Sequence, residues 1–206
     1  MKKLFSLMLV LTITVTGLCQ TPEQIVSRMS KQIDSLSKSG VALTVELKVP
    51  ILGTQTTRCY LLDKKGCFEI KIKDAQVITW ADSLDVWVYN SKENTVEISR
   101  HKESKSSKAG RDEMFPEFDK GYDMSIKAEN SKNWQLECRK AKTNTDKDAP
   151  KTIDLIVAKG TYLPVIMRTK TSGITITMKD ISYGVSEKKV TFDMNDYPGV
   201  KVVDKR

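Results

Sequence analysis

The sequence predicts a mainly β chain with α: about eleven antiparallel strands in an incompletely closed barrel, covered by an N-terminal helix and a short second helix. Three observations predict it. A single apolar stripe at helical spacing lies near the N-terminus. The chain beyond it switches to period-two alternation. Turn residues punctuate that alternation at regular intervals.

The chain opens as an export signal. Lys2 and Lys3 form a positive n-region, Leu4 to Val15 is apolar, and Gly17-Leu18-Cys19 precedes Gln20. The apolar stretch is shorter than the ~20 residues needed to span a bilayer, so residues 1–19 read as a signal peptide and Gln20 as the mature start. Residues 20–206 then form a single domain, since no Pro/Gly/Ser-rich linker divides them. The expected product is soluble in an exported compartment.

Pro22 to Ser39 reads as the long helix. Thr21 caps it, Pro22 takes the first helical position and Gly40 ends it. Ile25, Met29, Ile33 and Leu36 recur at steps of three and four, and Glu23, Lys31, Asp34 and Lys38 lie opposite. From Val41 the period is two: Val41, Leu43, Val45, Leu47 and Val49 alternate with smaller or polar residues until Pro50-Ile51-Leu52-Gly53.

Thr56–Leu62 and Cys67–Lys73 form a hairpin about Asp63-Lys64-Lys65-Gly66, with Phe68, Ile70 and Ile72 on one face. Gln76–Trp80, Leu84–Tyr89 and Thr95–Ser99 follow as short strands. Arg100 to Arg111 is hydrophilic and reads as an exposed loop. Met114, Phe115 and Phe118 after it suit a short helix or apolar plug. Strands resume at Tyr122–Ala128, Trp134–Lys140, Ile153–Ala158, Tyr162–Thr169, Ile174–Asp180 and Lys188–Asp193, with Gly160 and Gly173 at turns.

Composition excludes several functions. Thirty-four Lys and Arg against 26 Asp and Glu give a net charge of +8, but the cations are spread along the chain among acids and the export signal argues against nucleic acid. The interspersed charges read as a solvated surface, with attraction to anionic membrane surfaces as the functional alternative. If Asp63 faces Gly66 across the hairpin, Cys59 and Cys67 point to opposite faces. With Cys138 they are expected as small apolar fillers, not a disulfide framework. His101 is the single histidine and reads as a solvated loop residue. No His/Cys metal spacing, Gly-rich phosphate loop or nucleophile elbow is present, and Asp82 with Asp85 reads as an ordinary surface turn. The expectation is therefore no enzyme, no cofactor and no metal.

Four blocks resemble the LolA family of periplasmic lipoprotein carriers, in the form typical of Bacteroidetes-like sequences. They are the N-terminal amphipathic helix running into Val41–Val49, Lys64-Lys65-Gly66-Cys67-Phe68-Glu69-Ile70, and Thr79-Trp80-Ala81-Asp82-Ser83-Leu84-Asp85-Val86-Trp87-Val88-Tyr89-Asn90. The fourth is Phe192 with Pro198-Gly199-Val200, Val202, Asp204 and Arg206, the most specific of them. Ser83 departs from the family's glycine. The resemblance implies a periplasmic monomer that shields acyl chains of lipoproteins in a hydrophobic cavity. Such a carrier is loaded by an inner-membrane lipoprotein-releasing transporter and unloaded to an outer-membrane acceptor. The same fold also serves glycolipid-carrying lipoproteins and an envelope-stress sensor, so a lipid-binding or sensing module is the alternative.

On this reading the cavity would be lined by Leu43, Val45, Leu47, Phe68, Ile70, Ile72, Val86 and Val88 from the strands, and by Ile25, Met29, Ile33 and Leu36 from the helix. Met114, Phe115 and Phe118 would add a second flap. The family's lid-holding arginine has no direct counterpart; Lys64, Lys65 and Arg58 are the cations nearest its place.

Overall fold

The computed structural model describes residues 20–101, 121–147, 149–171 and 173–206. Helix α1 spans Pro22–Leu36 and runs into a 3-10 turn at Ser37–Ser39. Thr21 accepts from the backbone of Gln24 while the Gln24 side chain accepts from the Thr21 N–H, a reciprocal cap that satisfies two otherwise orphaned donors. Gly40, at φ +73, reverses the chain into the first strand.

Twelve strands follow among the described residues: β1 Val41–Val49, β2 Gly53–Leu62, β3 Lys65–Ile72, β4 Ala75–Ala81, β5 Asp85–Asn90, β6 Thr95–Arg100, β7 Tyr122–Glu129, β8 Asn133–Lys140, β9 Thr152–Ala158, β10 Pro164–Thr171, β11 Ile174–Tyr183 and β12 Lys201–Asp204. They form one sheet in the order β12-β6-β5-β4-β3-β2-β1-β11-β10-β9-β8-β7. The sheet does not close, since β12 and β7 are its two edges. Every pair is antiparallel except β12 with β6, which is parallel.

Two sequence expectations change here. Residues 188–193 are not a strand: Glu187–Val190 is a short helix, α2, and the chain beyond it runs as an arm through a 3-10 turn at Met194–Asp196 to β12. The β2–β3 turn is also tighter than expected. Leu62 faces Lys65 and Cys59 faces Phe68, with Asp63 at φ +50. The register moves by two in the sum of paired numbers, which preserves parity, so Cys59 and Cys67 still lie on opposite faces. Cys59, Cys67 and Cys138 are all free and buried.

Parity divides the molecule into two faces. On one, Ile25, Val26, Met29 and Ile33 of α1 bury against Trp134, Leu136, Cys138, Ile153, Leu155, Val157 and Met167 of β8 to β10. On the other, the arm after β11 lays Val185, Val190, Phe192 and Tyr197 over Cys67, Ile78, Trp80, Trp87 and Tyr89. We call these the helix side and the tail side. Each half of the long sheet thus has its cover on a different face, and the helix side of β2 to β6 lies beyond the α1 cluster.

Candidate functional site

Cross-strand pairing assembles the helix-side surface row by row. Leu43, Cys59, Phe68, Thr79 and Val88 form one row; Val45, Thr57, Ile70, Val77 and Asn90 form the next. Leu61, Gly66, Ala81 and Val86 form a third. At ~4.8 Å between strands, the five strands of a row span about 19 Å. A Cβ on Gly66 would sit 2.9 Å from Cε2 of Phe68 and 3.3 Å from Cδ2 of Leu61, so the ring lies over the glycine with Leu61 beside it.

The expected cavity residues of the strands all fall on this one face, because each has the same parity as Leu43. They do not all share one environment. Leu43 is buried with Val41 and Cys59 in a closed cluster, and Val45 and Phe68 pack at its edge. Ile70, Val77, Val86 and Val88 are half-buried and lie outside the core clusters of the described residues. Leu47 is 36% exposed and Ile72 48%. Ile25, Met29 and Ile33 are spent in the α1 cluster, with Leu36 half-buried beside them. The apolar strip from Leu47 to Val88 is therefore the part of the expected lining still open to a ligand among the described residues. Val77 belongs to it and was not anticipated, although its pairing with Ile70 follows from the same alternation. Met114, Phe115 and Phe118 lie outside the described residues.

The expected latch cations stand elsewhere. Arg58 pairs with Thr44 and Glu69 and so points to the tail side, where its guanidinium lies 5.8 Å from the centre of the Tyr60 ring. Lys64 is an exposed turn residue. Lys65 pairs with Glu187 and donates to Thr191 at 3.3 Å, so it ties down the start of the arm. On the outside of α1, Arg28 donates to the Tyr162 hydroxyl at 2.7 Å and stacks on its ring.

The tail side is closed by aromatic packing. Trp80 meets Phe192 at 5.3 Å and Tyr197 at 5.6 Å, and Tyr89 meets Tyr197 at 4.6 Å. Burial pushes the Tyr197 hydroxyl up to about 12. Asp85, expected on an ordinary surface turn, is buried at 8% exposure and is held by Arg100 and Arg206. Asp82 is the turn former, accepting from the backbone of Leu84 and Asp85. His101 is half-buried at the end of β6, its N–H donating to Leu84 O. Among the described residues no group of three His, Cys, Asp or Glu side chains is placed to hold a metal, and no described helix is long and apolar enough to cross a membrane.

No family model matches the sequence, and no curated protein matches it. Solved structures do resemble it. A LolA superfamily protein from Nitrosomonas europaea is 11% identical, covering 84% of this chain and 99% of its own, with a TM-score of 0.35. A domain assigned to outer-membrane lipoprotein sorting from Vibrio parahaemolyticus is 14% identical over 81% of this chain and 95% of its own, TM-score 0.34. LprF from Mycobacterium bovis is 10% identical over 81% and 96%, TM-score 0.46.

Proposed function

We propose that the protein is a periplasmic carrier that receives acyl chains of lipoproteins on the helix-side strip of β2 to β6 and delivers them to the outer membrane. The observation that carries this is the strip itself: Phe68, Ile70, Ile72, Val77, Val86 and Val88 share one face, and most of them remain outside the closed clusters. Each acyl methylene taken from water contributes ~0.8 kcal/mol, so a long chain gains strongly from even partial cover. Nothing in the site calls for bond-making chemistry, and the reading is of a binding protein, not an enzyme. An inner-membrane releasing transporter and an outer-membrane acceptor are the partners such a carrier requires.

The test is intact mass under native conditions after adding a diacylated or triacylated lipopeptide. A bound adduct lost on denaturation, and absent in Ile70→Glu and Val88→Glu, is the expected result. An unliganded mass for the unaltered protein at saturating lipopeptide would overturn the carrier reading in favour of an interaction or sensing module.

A further inference from the structure

The β1–β2 connection is a tight turn with an unusual occupant. The N–H of Leu52 donates to Pro50 O at 2.9 Å, closing a γ-turn centred on Ile51 at φ +72. A β-branched residue rarely adopts this backbone, and the conformation is strained. The side chain gains nothing inside the molecule in return: Ile51 is fully exposed and Leu52 is 83% exposed. Strain and bare apolar surface at one apex point to something outside the chain that takes these two side chains.

The surroundings say what it is. Lys48, Lys71, Lys73 and Lys170 are exposed on the strands and turns at this end of the sheet, with Asp74 beside Lys73. Lys48 and Lys170 belong to one tail-side row through Thr175. Lys48 stands three residues behind Ile51, roughly 10 Å at ~3.3 Å per strand residue, which matches the depth to which interfacial apolar groups enter a bilayer. Two apex side chains offer far less than the ~800 Å² per partner of a stable protein interface. The helix-side flank of the same tip is apolar, with Leu47 and Ile72 leading into the strip described above.

We propose that the β1–β2 tip docks on lipid bilayers with anionic headgroups: Ile51 and Leu52 enter the interface, and Lys48, Lys71, Lys73 and Lys170 meet the phosphates. The docked molecule presents the open end of its apolar strip to the membrane surface. This gives an acyl chain a path that avoids bulk water. That purpose rests on the carrier reading; the docking itself does not.

The experiment is co-sedimentation of the protein with phosphatidylethanolamine vesicles containing phosphatidylglycerol, and with neutral phosphatidylcholine vesicles. Binding to the anionic vesicles is expected, about tenfold weaker for each of Ile51→Gly and Leu52→Ser. Replacing Lys48 or Lys170 by Gln weakens it about fivefold each. Glycine accepts φ +72, so Ile51→Gly keeps or raises the melting temperature while losing binding, which separates docking from folding. Equal sedimentation of the unaltered protein and the Ile51→Gly, Leu52→Ser double variant overturns the proposal. So does failure of the unaltered protein to bind either vesicle, which would leave the tip to a protein partner. Binding of a monomeric lipopeptide in solution is unchanged in the double variant. If the unaltered protein does not bind lipopeptide, the carrier reading falls while the vesicle result stands by itself.

Discussion

Nη1 of Arg206 lies 2.9 Å from Oδ2 of Asp85, joining the end of β12 to the start of β5 across 121 residues. Arg100 reaches the other oxygen of the same carboxylate at 3.3 Å, and Arg206 also grips Asp204. The arm that seals the tail side is therefore fastened at both ends: Lys65 with Glu187 where it leaves the sheet, and Asp85 with Arg206 where it rejoins.

Removing one side of this clamp is unequal to removing the other. Arg206→Ala leaves Asp85 with Arg100, while Asp85→Ala removes the buried acceptor that both guanidinium groups share, so Asp85→Ala should lower stability more than Arg206→Ala. Urea unfolding midpoints check this. Equal effects would mean that Arg100 contributes little.

The clamp also sets an acid response. Hydrogen bonds from Arg206 hold the Asp204 carboxyl down at about 2, against an ordinary value of 3.8. A depressed acid contributes stability that is fully present above its unfolded value. That contribution is lost as pH falls through the folded one, so the window lies between about pH 4 and pH 2. The Asp204 carbon signal in an NMR titration should have its midpoint near the lower limit. In Arg206→Ala it should return to the ordinary value.

Burial pushes the thiols of Cys59 and Cys67 up to about 11 and Cys138 up to about 12. Only the thiolate reacts, so iodoacetamide at pH 8 should leave all three untouched in the folded protein and modify all three in guanidinium. Mass spectrometry reads the result directly, and labelling of Cys67 without denaturant would show that the arm lifts from the tail side.

Gly40 is needed for its backbone and its lack of a side chain. A Cβ there would lie 2.7 Å from the Leu61 carbonyl oxygen and 3.0 Å from the Val185 side chain, at φ +73. Gly40→Ala should cost about 2 kcal/mol or more. Gly160 has nothing within 4 Å of the same position, and Gly160→Ala should be neutral or slightly stabilising. Thermal melting of the pair checks the contrast.

The fold was legible wherever periodicity decided it. The stripe of Ile25, Met29 and Ile33 and the alternation of Val41, Leu43, Val45 and Leu47 place α1 and the helix-side face correctly, because the error at the β2–β3 turn moves the register sum by two and so keeps parity, where a shift of one would have reversed it. The latch was misplaced for a reason parity itself supplies: Arg58 is one residue from Cys59, so it points away from α1. Val190 and Phe192 alternate like a strand but leave the sheet, since their apolar surface is satisfied by Trp80 and Trp87 and not by a ladder. The parallel pairing of β12 with β6 depends on that arm crossing the tail side, a long-range event with no local signal. The burial of Asp85 follows from it, because Arg206 reaches Asp85 only once β12 is in place.

The two halves of the helix-side face should respond oppositely to substitution, and this separates core from site. Leu136 and Leu155 are buried beneath α1, and truncating either to Ala should cost about 2–5 kcal/mol. Ile70 and Val88 are half-buried outside the clusters, so Ile70→Glu and Val88→Glu leave their carboxylates reachable by water and should cost about 1 kcal/mol or less. Lipopeptide binding should behave in reverse. It should survive in the folded fraction of Leu155→Ala and be lost in Val88→Glu, since a carboxylate on the strip must be desolvated by an incoming acyl chain. Measuring unfolding midpoints and lipopeptide binding on the same four variants gives the comparison. If Val88→Glu unfolds the protein as severely as Leu155→Ala, the strip is core, and β2 to β6 present no binding face.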